Sequence, residues 1–235
     1  MPEALRGRPR AVLFDLGNTL ALPDWPRIVS AAGGALPPLG EEELQRRMSV
    51  VLVEADGREE FLREVAEGSL APGWEFRDLC RGLGLDGDDL DGLVSNLVRE
   101  HEKRHLWSAL NRDAVPLLEE LKREGLKLAV ISNSPDGRVE ELVRLLGVED
   151  YFDLCVDSKR VGYAKPDPRI FSEAVGRLEV GPADAVYVGD SYTQDVAGAL
   201  DAGLRGVLYD PHDLRPGPGV VRIHSLRELP TTWGE

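Results

Sequence analysis

The sequence predicts an α/β fold, a parallel sheet with helices on both faces, interrupted by a block of helices. Three observations predict it. Short apolar runs end in polar or glycine-rich turns at Asp15, Ser132 and Gly189. From Asp113 onward such runs alternate with amphipathic segments, as strands joined by helical crossovers do. Between Ala21 and Trp107 the apolar residues recur instead at helical spacing, with almost no strand signal.

Residues 11–14, Ala-Val-Leu-Phe, are apolar at every position, as a strand buried on both faces requires. Asp15 ends the run, and Gly17 and Asn18 follow with turn chemistry. A carboxylate at the carboxyl end of a buried parallel strand stands where open α/β sheets bind ligands. Taken alone, it reads equally well as the cap of a turn.

The helical block comes next. Leu44, Met48, Val51, Leu52 and Ala55 share one helical face. Phe61, Leu62, Val65 and Ala66 repeat the pattern, as do Phe76, Leu79, Cys80 and Leu83, then Leu90, Leu93, Val94, Leu97 and Val98. Gly33-Gly34, Pro37-Pro38, Pro72-Gly73 and residues 84–87 separate them. This predicts a small all-helical cap domain over residues 21–107. It is inserted into an α/β core of residues 1–20 and 108–235. Connections near residues 20–25 and 107–113 predict a hinged lid.

The core then resumes. Helices are expected over 115–123, 137–146, 168–178 and 196–202, with Pro168 in a first turn and Gly125, Gly147 and Gly203 as stops. Strands are expected over 126–131, 152–156, 185–188, 206–209 and 220–223, a turn-rich loop over 211–219, and a last helical turn over 226–229. Together with residues 11–14 these strands make a Rossmann-like parallel sheet.

Composition narrows the function. The chain has 235 residues and a net charge of −14. Its pI near 4.8 argues against nucleic acid, which needs a basic footprint. No apolar run approaches the roughly 18 residues of a membrane span, and no apolar stretch after the N-terminal arginines marks a signal peptide. Cys80 and Cys155 stand apart, as reduced thiols of a cytoplasmic protein do. A negative protein repels small anions, so an anionic substrate needs a local cation or metal.

Three polar clusters fall at strand ends: Asp15, Ser132-Asn133, and Gly189-Asp190-Ser191 with Asp195 beyond. In a parallel sheet all three lie on one edge. Lys165 sits just before a helix. Asp15 and Asp190 brought together repel unless they share a cation, and oxygen ligands favour Mg²⁺. Ser132 offers a hydroxyl, the N–H groups after it an anion nest, and Lys165 a positive charge. Each piece also has a plain structural reading. Ser132 and Asn133 can cap a turn, Lys165 can be a solvated loop lysine, and Asp195 can cap the following helix. His101 and His105, four apart, read as a solvated helix face rather than a metal pair.

The conjunction of the four clusters resembles the haloacid dehalogenase-like hydrolase superfamily, along essentially the whole chain. Phe14-Asp-Leu-Gly-Asn-Thr-Leu20 is similar to its first motif and Ile131-Ser-Asn-Ser134 to its second. Gly162-Tyr-Ala-Lys-Pro-Asp-Pro168 is similar to the third and Gly189-Asp-Ser-Tyr-Thr-Gln-Asp195 to the fourth. The inserted helices resemble the α-helical cap of one subgroup. The resemblance implies that Asp15 attacks phosphorus to form an aspartyl-phosphate, with Lys165 assisting. It implies phosphate binding by Ser132, Asn133 and Lys165. It also implies Mg²⁺ held by Asp15, the Gly17 carbonyl and Asp190, supported by Asp195.

One position departs from that pattern. Family phosphatases usually carry a second Asp two residues after the nucleophile, as general acid and base, where this chain has Gly17. The dehalogenase branch lacks that Asp but also lacks the Gly-Asp of the fourth motif. The phosphonate-hydrolase branch needs a cap lysine, and residues 21–107 contain only Lys103, near the hinge. The expectation is a Mg²⁺-dependent phosphomonoester or acyl-phosphate hydrolase acting on a small phosphorylated metabolite. Its rivals are a metal-independent 2-haloacid dehalogenase and a phosphometabolite-binding protein with little turnover.

Overall fold

The computed structural model describes residue 5, residues 7–215 and residues 219–233. Residues 216–218 of the expected loop lie outside them. The strands are β1 (Ala11–Phe14), β2 (Ala21–Leu22), β3 (Ala109–Leu110), β4 (Lys127–Ser132), β5 (Leu154–Asp157), β6 (Ala185–Gly189), β7 (Arg205–Tyr209) and β8 (Val221–Ile223). Six of them form one sheet in the order β5-β4-β1-β6-β7-β8, while β2 pairs with β3. Every ladder of the six-stranded sheet is parallel.

The first strand lies inside this sheet, and all four of its residues are fully buried. Alternation then divides its side chains between two faces. Ala11 and Leu13 join Ala129, Ile131, Ala185 and Tyr187 in a core closed by Ile170, Phe171, Ala174 and Val175. Those last four belong to the helix Pro168–Arg177. Register matters more than either core. Phe14 is paired with Val130 on one side and Val188 on the other. The residue after each partner, Ile131 and Gly189, is therefore level with Asp15.

The chain divides into two compact units, one of Met1–Leu22 and Leu110–Glu235, the other of Pro23–Ala109. The second is entirely helical, apart from Ala109 in β3: α1 (Trp25–Ala31), α2 (Glu41–Asp56), α3 (Glu59–Glu67), α4 (Trp74–Gly82) and α5 (Gly87–Lys103). Its core is the set of residues with helical spacing, including Leu44, Met48, Phe76, Leu79 and Leu97. No helix among the described residues is long and apolar enough to cross a membrane.

Three local expectations change. The helix expected over 137–146 is Val139–Leu145, because Gly137 has a left-handed φ of 78° and cannot open it. The segment 196–202 is not one α-helix. A π-helical turn, Tyr192–Ala197, precedes a short α-helix, Gly198–Asp201. Its N-cap is Ser191, whose hydroxyl accepts the Gln194 N–H at 2.9 Å, so Asp195 is not the N-cap residue. Finally α5 stops at Lys103, and His105 lies beyond it. Both imidazoles are half-buried, and each accepts a backbone N–H, from Leu106 on His101 and from Trp107 on His105.

Candidate active site

Asp15 leaves β1 with its N–H donated to Val188 O at 2.8 Å, so the adjacent strand fixes where the carboxylate starts. The carboxylate is buried. Its Oδ1 accepts from the Lys165 ammonium at 2.5 Å. The same ammonium donates to Asp195 Oδ1 at 2.6 Å and to the Tyr187 hydroxyl at 2.9 Å. The side chain of Lys165 is only 2% exposed, so this is no solvated loop lysine. Burial alone would lower the Lys165 pKa, but Asp15 and Asp195 outweigh it and hold the group well above its ordinary value.

Asp195 reaches this point because of the π turn. Its Oδ2 accepts the Ser191 N–H at 2.9 Å, turning the carboxylate back toward the strand end. Asp190 completes the acidic group. Oxygens of Asp15, Asp190 and Asp195 lie within 4.8 Å of one another. Loss of water raises the Asp15 carboxyl to about 6, Lys165 pulling it down and Asp195 pushing it up. Asp190 lies well above the usual carboxylate range, through loss of water first and then repulsion from Asp15 and Asp195. Arg215 and Lys165 only partly relieve it.

Ser132 ends β4 beside β1, half-buried. Asn133 is committed to the protein itself. Its Oδ1 accepts the Lys165 N–H at 2.8 Å, and its Nδ2 donates to Lys165 O at 2.9 Å and Gln194 Oε1 at 2.8 Å. The amide thus clamps the Lys165 loop to the π turn, and both its N–H groups are spent. Gly17 has no φ in the left-handed region; the positive φ of this turn, 60°, belongs to Asn18.

Sequence reasoning did not single out Tyr187, Gln194, Arg215 or Thr19. Thr19 Oγ1 is buried four residues after Asp15 with no hydrogen-bond partner. Nor did it find Asn111, whose Nδ2 donates to Thr19 O at 2.9 Å and to the Tyr209 hydroxyl at 3.0 Å. The only signal for Tyr187 was a polar atom inside an apolar strand.

The arrangement is one ammonium held among converging carboxylates at the carboxyl ends of β1 and β6, next to a hydroxyl at the end of β4. Comparison with known proteins shows what the chain is similar to. The chain is 36% identical to mouse haloacid dehalogenase-like hydrolase domain-containing protein 3 over 147 residues, 61% of this chain and 58% of that protein. The chain therefore spans less than two thirds of that relative. It is 34% identical to the glyceraldehyde 3-phosphate phosphatase of Methanopyrus kandleri over 201 residues, 83% of this chain and 81% of that protein. The solved structure of a 2-haloacid dehalogenase from Pseudomonas syringae matches with a TM-score of 0.58 and 29% identity, over 95% of this chain and 97% of that one. The family model for haloacid dehalogenase-like hydrolases matches residues 9–203, which take in all four polar clusters, and the chain belongs to that family.

Proposed function

We infer that the protein is a Mg²⁺-dependent phosphatase acting on a small phosphorylated metabolite, in a cytoplasmic setting, with Asp15 as nucleophile. One observation carries the reading: three carboxylates converge where, among the described residues, Lys165 supplies the one ammonium bridging two of them. Lys165, with Arg215 acting only partly on Asp190, leaves this acidic cluster short of positive charge in a place shielded from water, which calls for a further cation. The group offers oxygen donors only, and that set fits a hard divalent ion. Asp15, Asp190 and the Gly17 carbonyl would hold it, with Asp195 beside them. Bound there, Mg²⁺ supplies positive charge against both the carboxylates and an incoming phosphoryl group.

The chain's own residues do the rest. A carboxylate oxygen of Asp15 attacks phosphorus, and the bond from phosphorus to the leaving oxygen breaks, that oxygen keeping the electron pair. Water then attacks phosphorus, frees phosphate and restores the Asp15 carboxylate. Lys165 steadies Asp15 and the phosphoryl charge, and the Ser132 hydroxyl donates to a phosphoryl oxygen. Asn133 acts by holding the Lys165 loop. The likeness to the Methanopyrus kandleri phosphatase supports this reading.

The rival is a metal-independent dehalogenase, favoured by Gly17 and by the likeness to the Pseudomonas syringae enzyme. Asp190, whose carboxylate converges with those of Asp15 and Asp195, speaks against it. A panel of phosphorylated metabolites and 2-haloacids, assayed with Mg²⁺ and with EDTA, separates the two. Phosphate release that EDTA abolishes and Mg²⁺ restores is the expected result. Halide release that persists in EDTA, and in Asp190→Asn, would replace this reading with the rival.

A further inference from the structure

An ammonium has three N–H donors, and those of Lys165 go to three acceptors: Asp15 Oδ1, Asp195 Oδ1 and the Tyr187 hydroxyl. The third acceptor differs from the others, because it is neutral and comes from the middle of a buried strand. Tyr187 lies in β6, two residues before Gly189, and is fully buried. Its hydroxyl donates to Ile131 O at 3.1 Å, the carbonyl just before Ser132. That bond uses the phenolic proton, so the oxygen lone pairs are what remain for Lys165. Phe171 meets the ring edge-on, with centroids 5.0 Å apart, so the hydroxyl has no freedom to swing away.

We propose that Tyr187 is a positioning residue, whose hydroxyl fixes one N–H of Lys165 so that another stays aimed at Asp15. The proposal rests on the phosphatase reading for its kinetic consequence, though not for the contact itself. When Asp15 gives its charge to phosphorus, its hold on Lys165 weakens. Asp195 and Tyr187 keep the other two N–H groups, and the released one still points toward the carboxylate that now carries the phosphoryl group. An ammonium fixed by only one remaining acceptor would rotate, and the donor would be lost when charge is developing. A strand tyrosine serving only as core filler would need its ring and not its hydroxyl.

The test is Tyr187→Phe, which keeps the ring against Phe171 and removes only the oxygen. Two readouts are needed. The first is hydrogen exchange of the Lys165 ammonium, followed by NMR on ¹⁵N-lysine protein, assigned with Lys165→Arg and recorded without and with Mg²⁺. The proposal expects a slowly exchanging signal in the wild type and exchange at least several-fold faster in Tyr187→Phe. The second is steady-state kinetics on p-nitrophenyl phosphate with Mg²⁺. Here kcat is expected to fall about 10-fold or more with KM within about threefold, as for an interaction made mainly in the transition state. Unchanged ammonium exchange, or an unchanged kcat, would overturn the proposal. So would a loss of activity that only tracks a loss of folded protein. If no phosphate ester is turned over even by the wild type, yet exchange still accelerates in Tyr187→Phe, the brace stands and the phosphatase reading falls.

Discussion

A methyl group on Gly189 would lie 2.3 Å from the carboxyl carbon of Asp195, so the two residues are packed as only glycine permits. This contact lets the Asp195 carboxylate lie flat on the strand end, between the Ser191 N–H and the Lys165 ammonium. Gly189→Ala must push Asp195 off both. The expected outcome is a loss of about 1–3 kcal/mol in stability, the usual cost of overpacking, with turnover reduced at least roughly 10-fold. Gly206→Ala is the comparison, since a Cβ there meets Val196 at 2.9 Å and no carboxylate. Equal activity in the two variants, at matched thermal stability, would separate Gly189 from the chemistry.

Asp15→Asn keeps the shape of the side chain and removes the charge and the nucleophile. Turnover on phosphate esters should fall by more than roughly 10³-fold, as for other nucleophiles that act within a catalytic unit. Beryllofluoride should form an adduct on Asp15 in the wild type and none in the variant, seen by ¹⁹F NMR. An active variant, or an adduct on another residue, would remove Asp15 from its role.

Gly17→Asp is open to test because nothing steric forbids it. A Cβ on Gly17 meets no atom within 4 Å, and its φ lies outside the left-handed region. A positioned acid or base is worth about 10²- to 10⁴-fold, and it helps poor leaving groups most. The wild type should therefore prefer acetyl phosphate over alkyl phosphates. Gly17→Asp should raise the ratio of kcat/KM for an alkyl phosphate to that for acetyl phosphate. Thermal stability and Mg²⁺ affinity are measured alongside and should stay near wild type. A ratio that stays flat in a sound variant would mean the proton comes from another group.

Glu75 makes a prediction about the helical unit alone. It stands in the first turn of α4, where the helix dipole favours a carboxylate, yet burial raises its carboxyl to about 7. Its own backbone N–H lowers the value and Asp78 raises it further, both less than burial does. The folded state therefore binds the proton more tightly than the unfolded chain. The stability this contributes is complete below about pH 4.5 and is lost as pH rises through about 7. Glu75→Gln removes the ionisation, so it should raise Tm at pH 8 by roughly 2–5 °C and leave pH 5 nearly unchanged. An equal shift at both pH values would assign the effect to packing.

The sheet was legible because its strands are buried on both faces, and runs such as Ala185–Gly189 have no other reading at that length. Asp15, Ser132 and Asp190 stood out because each breaks such a run. The interior of the site was not legible. Asn133 follows Ser132 and shares its motif, but its amide is turned to the Lys165 loop, 32 residues away in sequence. The helix was expected to open only at Val196, with Asp195 as its possible cap, because local spacing does not record that Asp195 must reach Lys165, 30 residues distant, from within a π turn. Tyr187 counted simply as an apolar strand residue, since its partners Ile131 and Lys165 lie on other segments. Long-range pairs decide these three residues, and periodicity reports only near neighbours.

The position of β1 inside the sheet has a consequence for biosynthesis. The strand leaves the ribosome well before either of its neighbours, β4 from Lys127 and β6 from Ala185. At about 5–20 residues per second, the interval from Phe14 to Lys127, where its first partner begins, lasts roughly 6 to 23 seconds. Through that time an apolar tetrapeptide waits without an edge to join, open to chaperones and to other nascent chains. The helical segment Pro23–Ala109, by contrast, has all its own partners once Ala109 has emerged. Order of translation thus favours the inserted unit, and the strand that carries Asp15 is settled only by residues made long after it.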